Sequence, residues 1–257
     1  MSTYLVTGAS GGIGTAVCVR LASSGHRLIL AARDADRLRS LQASLPGAEH
    51  EIAPVDMASD TSIEVFSKQL AAFGLPLDGA VLMPPQPHAA NDPLPASEVW
   101  RTLFQTSFIG PLATLKAAIV QMRPNVSAGE RAKIVIVSGL SSAQVLGHYA
   151  TSNVIRTAWL GQAKTLAFAL GERNIHVNTL SLGGTLTPGY RASIEKRAAA
   201  AGQSFDARLN AETDNVPLHK YGEPSEVAVA IEGLLSPFSD HMTGLNILHD
   251  GGFTRAY

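Results

Sequence analysis

Three groups of residues have the types and spacing to do chemistry. Thr7-Gly8-Ala9-Ser10-Gly11-Gly12-Ile13-Gly14 is a glycine-rich turn between an apolar strand pattern and a helical one. Such glycines let the backbone turn tightly and approach a pyrophosphate, whose charge is met by free N–H groups at a helix N-terminus. Gly8, Ser10, Gly12, Ile13 and Gly14 are therefore expected to cradle a dinucleotide, against the plainer reading of a tight strand-to-helix connection. The second group, Ala31-Ala32-Arg33, closes the next strand. It offers no carboxylate to repel a 2′-phosphate and a guanidinium able to pair with one through two N–H donors, which favours NADP(H) over NAD(H). An arginine beside Asp34 and Asp36 is also an ordinary surface pair. The third group is Tyr149 and Arg156, seven residues apart and so on one helix face. Tyr149 could donate a proton while Arg156 holds a ribose and Ser138, Ser141 or Ser142 orients a carbonyl; alternatively, Tyr149 only lines a cleft.

These groups need a scaffold, and the hydrophobic pattern supplies it. Short apolar runs at Tyr4–Val6, His26–Ala31, Glu51–Val55, Gly79–Met83, Lys133–Val137, His176–Leu182 and Leu245–His249 alternate with helical segments. This is the pattern of parallel strands joined by crossover helices, and it predicts a doubly wound α/β fold with a seven-stranded parallel sheet. Ala16, Val17, Leu21 and Ala22 fall at helical spacing after the glycine turn, with Gly25 placed to end that helix. Residues from Gly183 to about Asn215 break the rhythm and read as a mobile lid over a substrate site, within which Tyr190 and Arg191 could touch a ligand. Trp100 and Trp159, at apolar helical positions, are expected in core or interface.

Composition narrows the classes of function. The chain has 257 residues, 46% hydrophobic and 16% charged, and no repeat or linker composition, so one domain spanning 1–257 is expected. Its formal charge of −1 has no long run of either sign, which argues against nucleic acid and anionic membrane as partners. Cys18 is the single cysteine and reads as core filler, and the eight histidines lack metal-ligand spacing, so no metal is expected. No secretory leader pattern and no uninterrupted apolar stretch long enough to span a bilayer are found, so a cytoplasmic location is expected.

Several stretches carry a resemblance that covers nearly the whole chain. TGASGGIG at 7–14, LAARDADRL at 30–38, KTLAFALGERNIHVNTLSLG at 164–183, Gly222-Glu223-Pro224-Ser225-Glu226-Val227-Ala228, and Thr243-Gly244 with Asp250-Gly251-Gly252 are similar to the short-chain dehydrogenase/reductase family. The resemblance implies a Rossmann-type domain and a homo-dimer or homo-tetramer formed through the segments Leu103–Met122 and Val154–Leu170. It adds Thr185, Thr187 and Arg156 to the cofactor-binding set, and implies that Asp56 accepts from an adenine amino group, although an acid at a strand end is also an ordinary helix cap.

The family's chemistry uses an asparagine, a serine, a tyrosine and a lysine, and here the resemblance weakens. Counting back without a gap from Lys164-Thr165-Leu166-Ala167 puts Ser152 in the tyrosine's place, Arg156 in the lysine's and Gly139 in the serine's. Ser107 takes the asparagine's place, Leu82-Met83-Pro84-Pro85 replaces the family's Asn-Asn-Ala-Gly, and Leu182 replaces the proline of its Pro-Gly turn. A competing alignment makes Tyr149 the catalytic tyrosine, with Asn153 as a partner that supplies no positive charge. The catalytic candidates are thus Tyr149, Ser152, Arg156 and Ser107. Two functions follow: an NADP(H)-dependent oxidoreductase acting on a small carbonyl or alcohol through an atypical site, or a catalytically silent relative serving as a nucleotide or ligand sensor or as the inactive subunit of a hetero-oligomer.

Overall fold

The computed structural model describes residues 1–47, 49–87 and 90–255. The first strand, β1 (Thr3–Thr7), feeds the glycine turn and α1 (Gly12–Ser23); β2 (Arg27–Ala31), α2 (Ala35–Ser44), β3 (Glu51–Ile52), α3 (Asp60–Phe73) and β4 (Gly79–Leu82) follow. A long helix then runs as α4 (Ser97–Phe104), a π-helical turn (Gln105–Ile109) and α5 (Gly110–Gln121). The chain ends through β5 (Ala132–Gly139), α6 (Ala150–Leu170), β6 (Ile175–Leu182), α7 (Pro188–Ala200), α8 (Phe205–Thr213), α9 (Pro224–Leu235) and β7 (Asn246–His249).

The strands form one parallel sheet in the order β3-β2-β1-β4-β5-β6-β7, as the alternation predicts. Both faces are covered, and the period of two divides each strand's side chains between them. Leu5, Ile29 and Ala31 pack with Phe66, Leu115 and Trp159 on one side; Tyr4, Val6, Leu28 and Leu30 pack with Val17, Leu21 and Ile231 on the other. The chain winds outward from β1 in both directions, so β1 and β4 flank a topological switch point, whose carboxyl end is the crevice where such sheets bind ligands.

Boundaries differ in ways with physical reasons. β3 is shorter than Glu51–Val55, yet Ala53 N donates to Leu30 O and Val55 N to Ala32 O, so the chain stays beside β2 to the expected end. Ser24 caps α1, and Gly25, at φ +81°, takes the left-handed turn after it. Residues 184–215 lack a strand but carry α7 and α8. Cys18 is buried in α1, and burial pushes its thiol up. The helix Ser97–Gln121 is nonetheless long and apolar enough to cross a membrane by length and composition. Its apolar residues are interrupted by Arg101, Gln105 and Lys116, which hides it from a search for an unbroken run, while Leu115, Ala117 and Ala118 pack in the core.

Candidate functional site

The glycine turn is shaped by close approaches. Gly8 sits at φ +62°, and a Cβ on Gly14 would lie 2.1 Å from Gly8 O. Gly11 N donates to Gly8 O at 2.9 Å and Ala9 N to Ala31 O at 3.1 Å, which ties the turn to the end of β2. Gly11 precedes α1 without a side-chain cap, and among the described residues the N–H groups of Gly12, Ile13 and Gly14 have no partner. A concavity with free N–H donors and no room for side chains fits a pyrophosphate. Its walls include Gly8, Ser10, Gly12, Ile13, Gly14, Arg37 and Thr187.

Arg33 is exposed beside this cradle and, among the described residues, forms no ion pair or hydrogen bond. The expected surface pair is taken up otherwise: Asp34 caps α2 by accepting from Asp36 N and Arg37 N, while Asp36 pairs with Arg39. Arg37, one turn beyond Arg33, donates from Nη2 to Ser10 O at 2.6 Å and braces the cradle. Asp56 accepts from Ala58 N through one oxygen, and it is Ser59, not Asp56, that caps α3.

Beyond the cradle lies a cavity of about 560 Å³. Pro84 and Gln86, the end of β5 from Val137 to Gly139 with Leu140 after it, Tyr149, Arg156, Leu182–Thr185, Tyr190, Tyr221 and Asp250 wall it. Ile13, Met83 and Thr187 line both spaces, so they are continuous. Thr7 Oγ1 accepts from Met83 N at 2.8 Å and holds the β4 end against the cradle, despite the two prolines that follow.

Arg156 is the centre of this cavity. Its Nε and Nη2 donate to Gln86 Oε1 at 3.1 and 2.7 Å, and its Nη1 donates to Ser141 Oγ at 3.1 Å. The guanidinium lies 5.8 Å from the Tyr149 ring centroid, a cation–π approach. A Cβ on Gly139 would stand 2.4 Å from Arg156 Nη1, so the glycine leaves the space the guanidinium fills. Burial lowers the Arg156 pKa, with Tyr149 acting the other way.

The sequence-derived catalytic candidates separate. Tyr149 and Arg156 meet in the cavity; Ser152 and Ser107 are not among its walls. Ser152 is fully buried, and its hydroxyl has no partner among the described residues. Ser107 is buried in the π-helical turn, and its carbonyl accepts from Trp159 Nε1 at 2.8 Å. Asn153 points away too, bonding Leu146 N and O. Of the three serines considered, Ser141 accepts from Arg156, Ser142 bonds Ser181, and Ser138 lines the cavity with no partner for its hydroxyl among the described residues. Trp159 is core, as expected, whereas Trp100 is half-buried against Phe104.

The 184–215 segment closes one side. Thr187 caps α7 by accepting from Tyr190 N, and a Cβ on Gly12 would lie 2.9 Å from both Thr187 and Pro188. Tyr190 faces the cavity beside Tyr221; Arg191 is not among its walls and pairs with Glu223 at 2.6 Å. Glu212 receives Arg197 and Arg208 at 2.9 and 2.7 Å, joining α7 to α8, and the Arg197 hydrogen bond holds its carboxyl below the usual range. Sequence reading missed Gln86, Arg37 and Tyr221. Only Arg37 left a signal, its spacing of one helical turn from Arg33.

A family model described as enoyl-(acyl carrier protein) reductase matches residues 8–254. The chain belongs to the short-chain dehydrogenase/reductase family. Among its relatives are D-erythrulose reductase of Gallus gallus, 30% identical over 97% of this chain and 94% of that one, and a diacetyl reductase of Staphylococcus epidermidis, 28% identical over 97% of each. The NADPH-bound short-chain oxidoreductase of Pseudomonas aeruginosa, described as containing an atypical catalytic centre, superposes with TM-score 0.86 at 25% identity, covering 100% of this chain and 98% of that one.

Proposed function

We propose that this family member is an NADP(H)-dependent oxidoreductase that interconverts a small carbonyl compound and its alcohol through an atypical centre formed by Tyr149, Arg156 and Ser138. The observation that carries the reading is the continuity of cradle and cavity through Ile13, Met83 and Thr187. The free N–H groups of Gly12–Gly14 would hold the pyrophosphate of a dinucleotide, Arg33 its adenosine phosphate, and Thr185 and Thr187 its nicotinamide end at the cavity. Bound there, the dihydronicotinamide supplies a hydride. The substrate oxygen, which gains the electron pair of the C=O bond, accepts a hydrogen bond from Ser138 and a proton from Tyr149, which is refilled from solvent. Arg156 keeps the Tyr149 ring in place. The NADPH-bound atypical relative supports cofactor and centre, and the names of the diacetyl and erythrulose reductases supply the first ketones to assay.

The exclusion of Ser152 and Ser107 from the cavity favours a second reading, a silent ligand-binding relative. Calorimetric titration with NADPH and NADH, on the native chain and on Arg33→Ala, tests the first part. Tight NADPH binding, weaker NADH binding and loss of that difference in Arg33→Ala are expected. Turnover of diacetyl and erythrulose with NADPH, lost in Tyr149→Phe, tests the second. Unchanged turnover in Tyr149→Phe removes the proton-donor role, and absence of nucleotide binding removes the oxidoreductase reading altogether.

A further inference from the structure

The cavity contains a charge without a counter-charge. Three ionised side chains line it: Arg156, Glu212 and Asp250. Glu212 is held by Arg197 and Arg208, and Asp250 accepts from Gly252 N and Thr254 N at 2.9 and 2.8 Å. Arg156 has only neutral partners among the described residues, the carbonyl oxygen of Gln86 and the hydroxyl of Ser141. A guanidinium has five N–H donors, and these three bonds leave two, one on each terminal nitrogen. Taking a cation out of water without an anion is costly, and the space for this one exists because position 139 has no side chain.

We propose that Arg156 recognises a carboxylate on the substrate, and that the protein acts on carbonyl compounds that are also acids. The two free donors match the two oxygens of a carboxylate, the arrangement in which arginine binds most strongly and most selectively. Tyr149, Tyr190, Tyr221 and Phe253 give the rest of the wall an aromatic surface for an apolar or aromatic body. Half-buried, the guanidinium pairs more strongly with an anion that enters the cavity than it would in open solvent. This inference rests on the cavity being the substrate site, as in the proposed function, but its test does not require turnover.

Benzoate and benzamide have the same shape and differ in charge, so their binding to the NADPH-saturated protein, followed by calorimetry at neutral pH, isolates the role of Arg156. Benzoate is expected to bind at least tenfold more tightly than benzamide, with the difference lost in Arg156→Gln and reduced in Arg156→Lys, which keeps the charge but not the fork. Gln86→Glu guards against a variant that fails to fold: it places a carboxylate on Arg156 within the chain and is expected to abolish the preference while melting like the native protein. Equal binding of benzoate and benzamide overturns the inference, as does a preference that persists in Gln86→Glu. A preference present in the free protein and lost when NADPH is bound overturns it too, because the free donors then serve the nicotinamide ribose. If NADPH itself fails to bind, it is the oxidoreductase reading that falls, and the benzoate comparison on the free protein then decides the anion site alone.

Discussion

At residue scale the site is organised by one exchange of volume. The Arg156 guanidinium occupies the space in front of β5 that a side chain at position 139 would fill, and it is fixed there by Gln86 and Ser141. Gly139→Ser should therefore not recover the serine of the family's pattern as a working group. The contact is with the mobile end of a long side chain, so the backbone can stay in place and the arginine must move. A thermal midpoint within a few degrees of native is expected, with turnover of whichever assayed ketone the native protein reduces lowered at least tenfold, while Gly139→Ser combined with Arg156→Lys recovers part of it. Kinetics on the two variants check this, and a single Gly139→Ser variant of full activity contradicts it. The sequence shows both residues standing where the family pattern has a serine and a lysine, but not their dependence on each other. Gln86 was beyond reach for a different reason, since it meets Arg156 across 70 residues of chain and has no spacing relation to it.

The long helix Ser97–Gln121 and the α7–α8 pair show what elements contribute. In the first, the π-helical turn Gln105–Ile109 opens the helix, and Trp159 Nε1 on α6 reaches Ser107 O to close a carbonyl there. Trp159→Phe fills most of the volume but leaves that buried carbonyl unpaired, so a loss of about 1–3 kcal/mol in unfolding free energy is expected, read by urea denaturation. In the second, Glu212 joins α7 to α8 through Arg197 and Arg208. Its folded pKa is lowered, so its contribution is complete above the unfolded value of about 4.3 and is lost as pH falls through the folded value. The α7–α8 segment should loosen only on acidification below that unfolded value, and Glu212→Gln should loosen it at neutral pH, both measurable as faster amide exchange in residues 188–213. The hydrophobic period exposed the seven strands and the break after β6, because strands buried on both faces read as apolar runs. It could not reveal two helices inside the break, whose mixed faces carry little apolar signal, nor the π-helical turn, which no spacing rule marks.

At the scale of the whole molecule, the sheet topology makes ligand binding and stability one quantity. The cradle joins β1 to α1 and touches the α7 start at Thr187 and Pro188, while the cavity gathers the ends of β4, β5 and β6. A ligand spanning both spaces ties these segments together, and it binds the folded chain but not the unfolded one. The gain follows RT ln(1 + [L]/Kd), about 2.7 kcal/mol at a hundredfold excess over Kd. For a domain of this size each kcal/mol raises the thermal midpoint by roughly 2–4 °C, so NADPH at that concentration should raise it by about 5–10 °C. Removing a phosphate contact costs about 1.5–3 kcal/mol, or roughly 10- to 100-fold in affinity. NADH at the same concentration should therefore give a much smaller rise, and Arg33→Ala should reduce the NADPH shift to the NADH level. Scanning calorimetry of the native and Arg33→Ala proteins with each nucleotide reads all of this. An NADPH shift that stays above the NADH shift in Arg33→Ala would assign the exposed Arg33 to the solvent and leave the choice of cofactor to Arg37, whose guanidinium already touches Ser10 at the cradle wall.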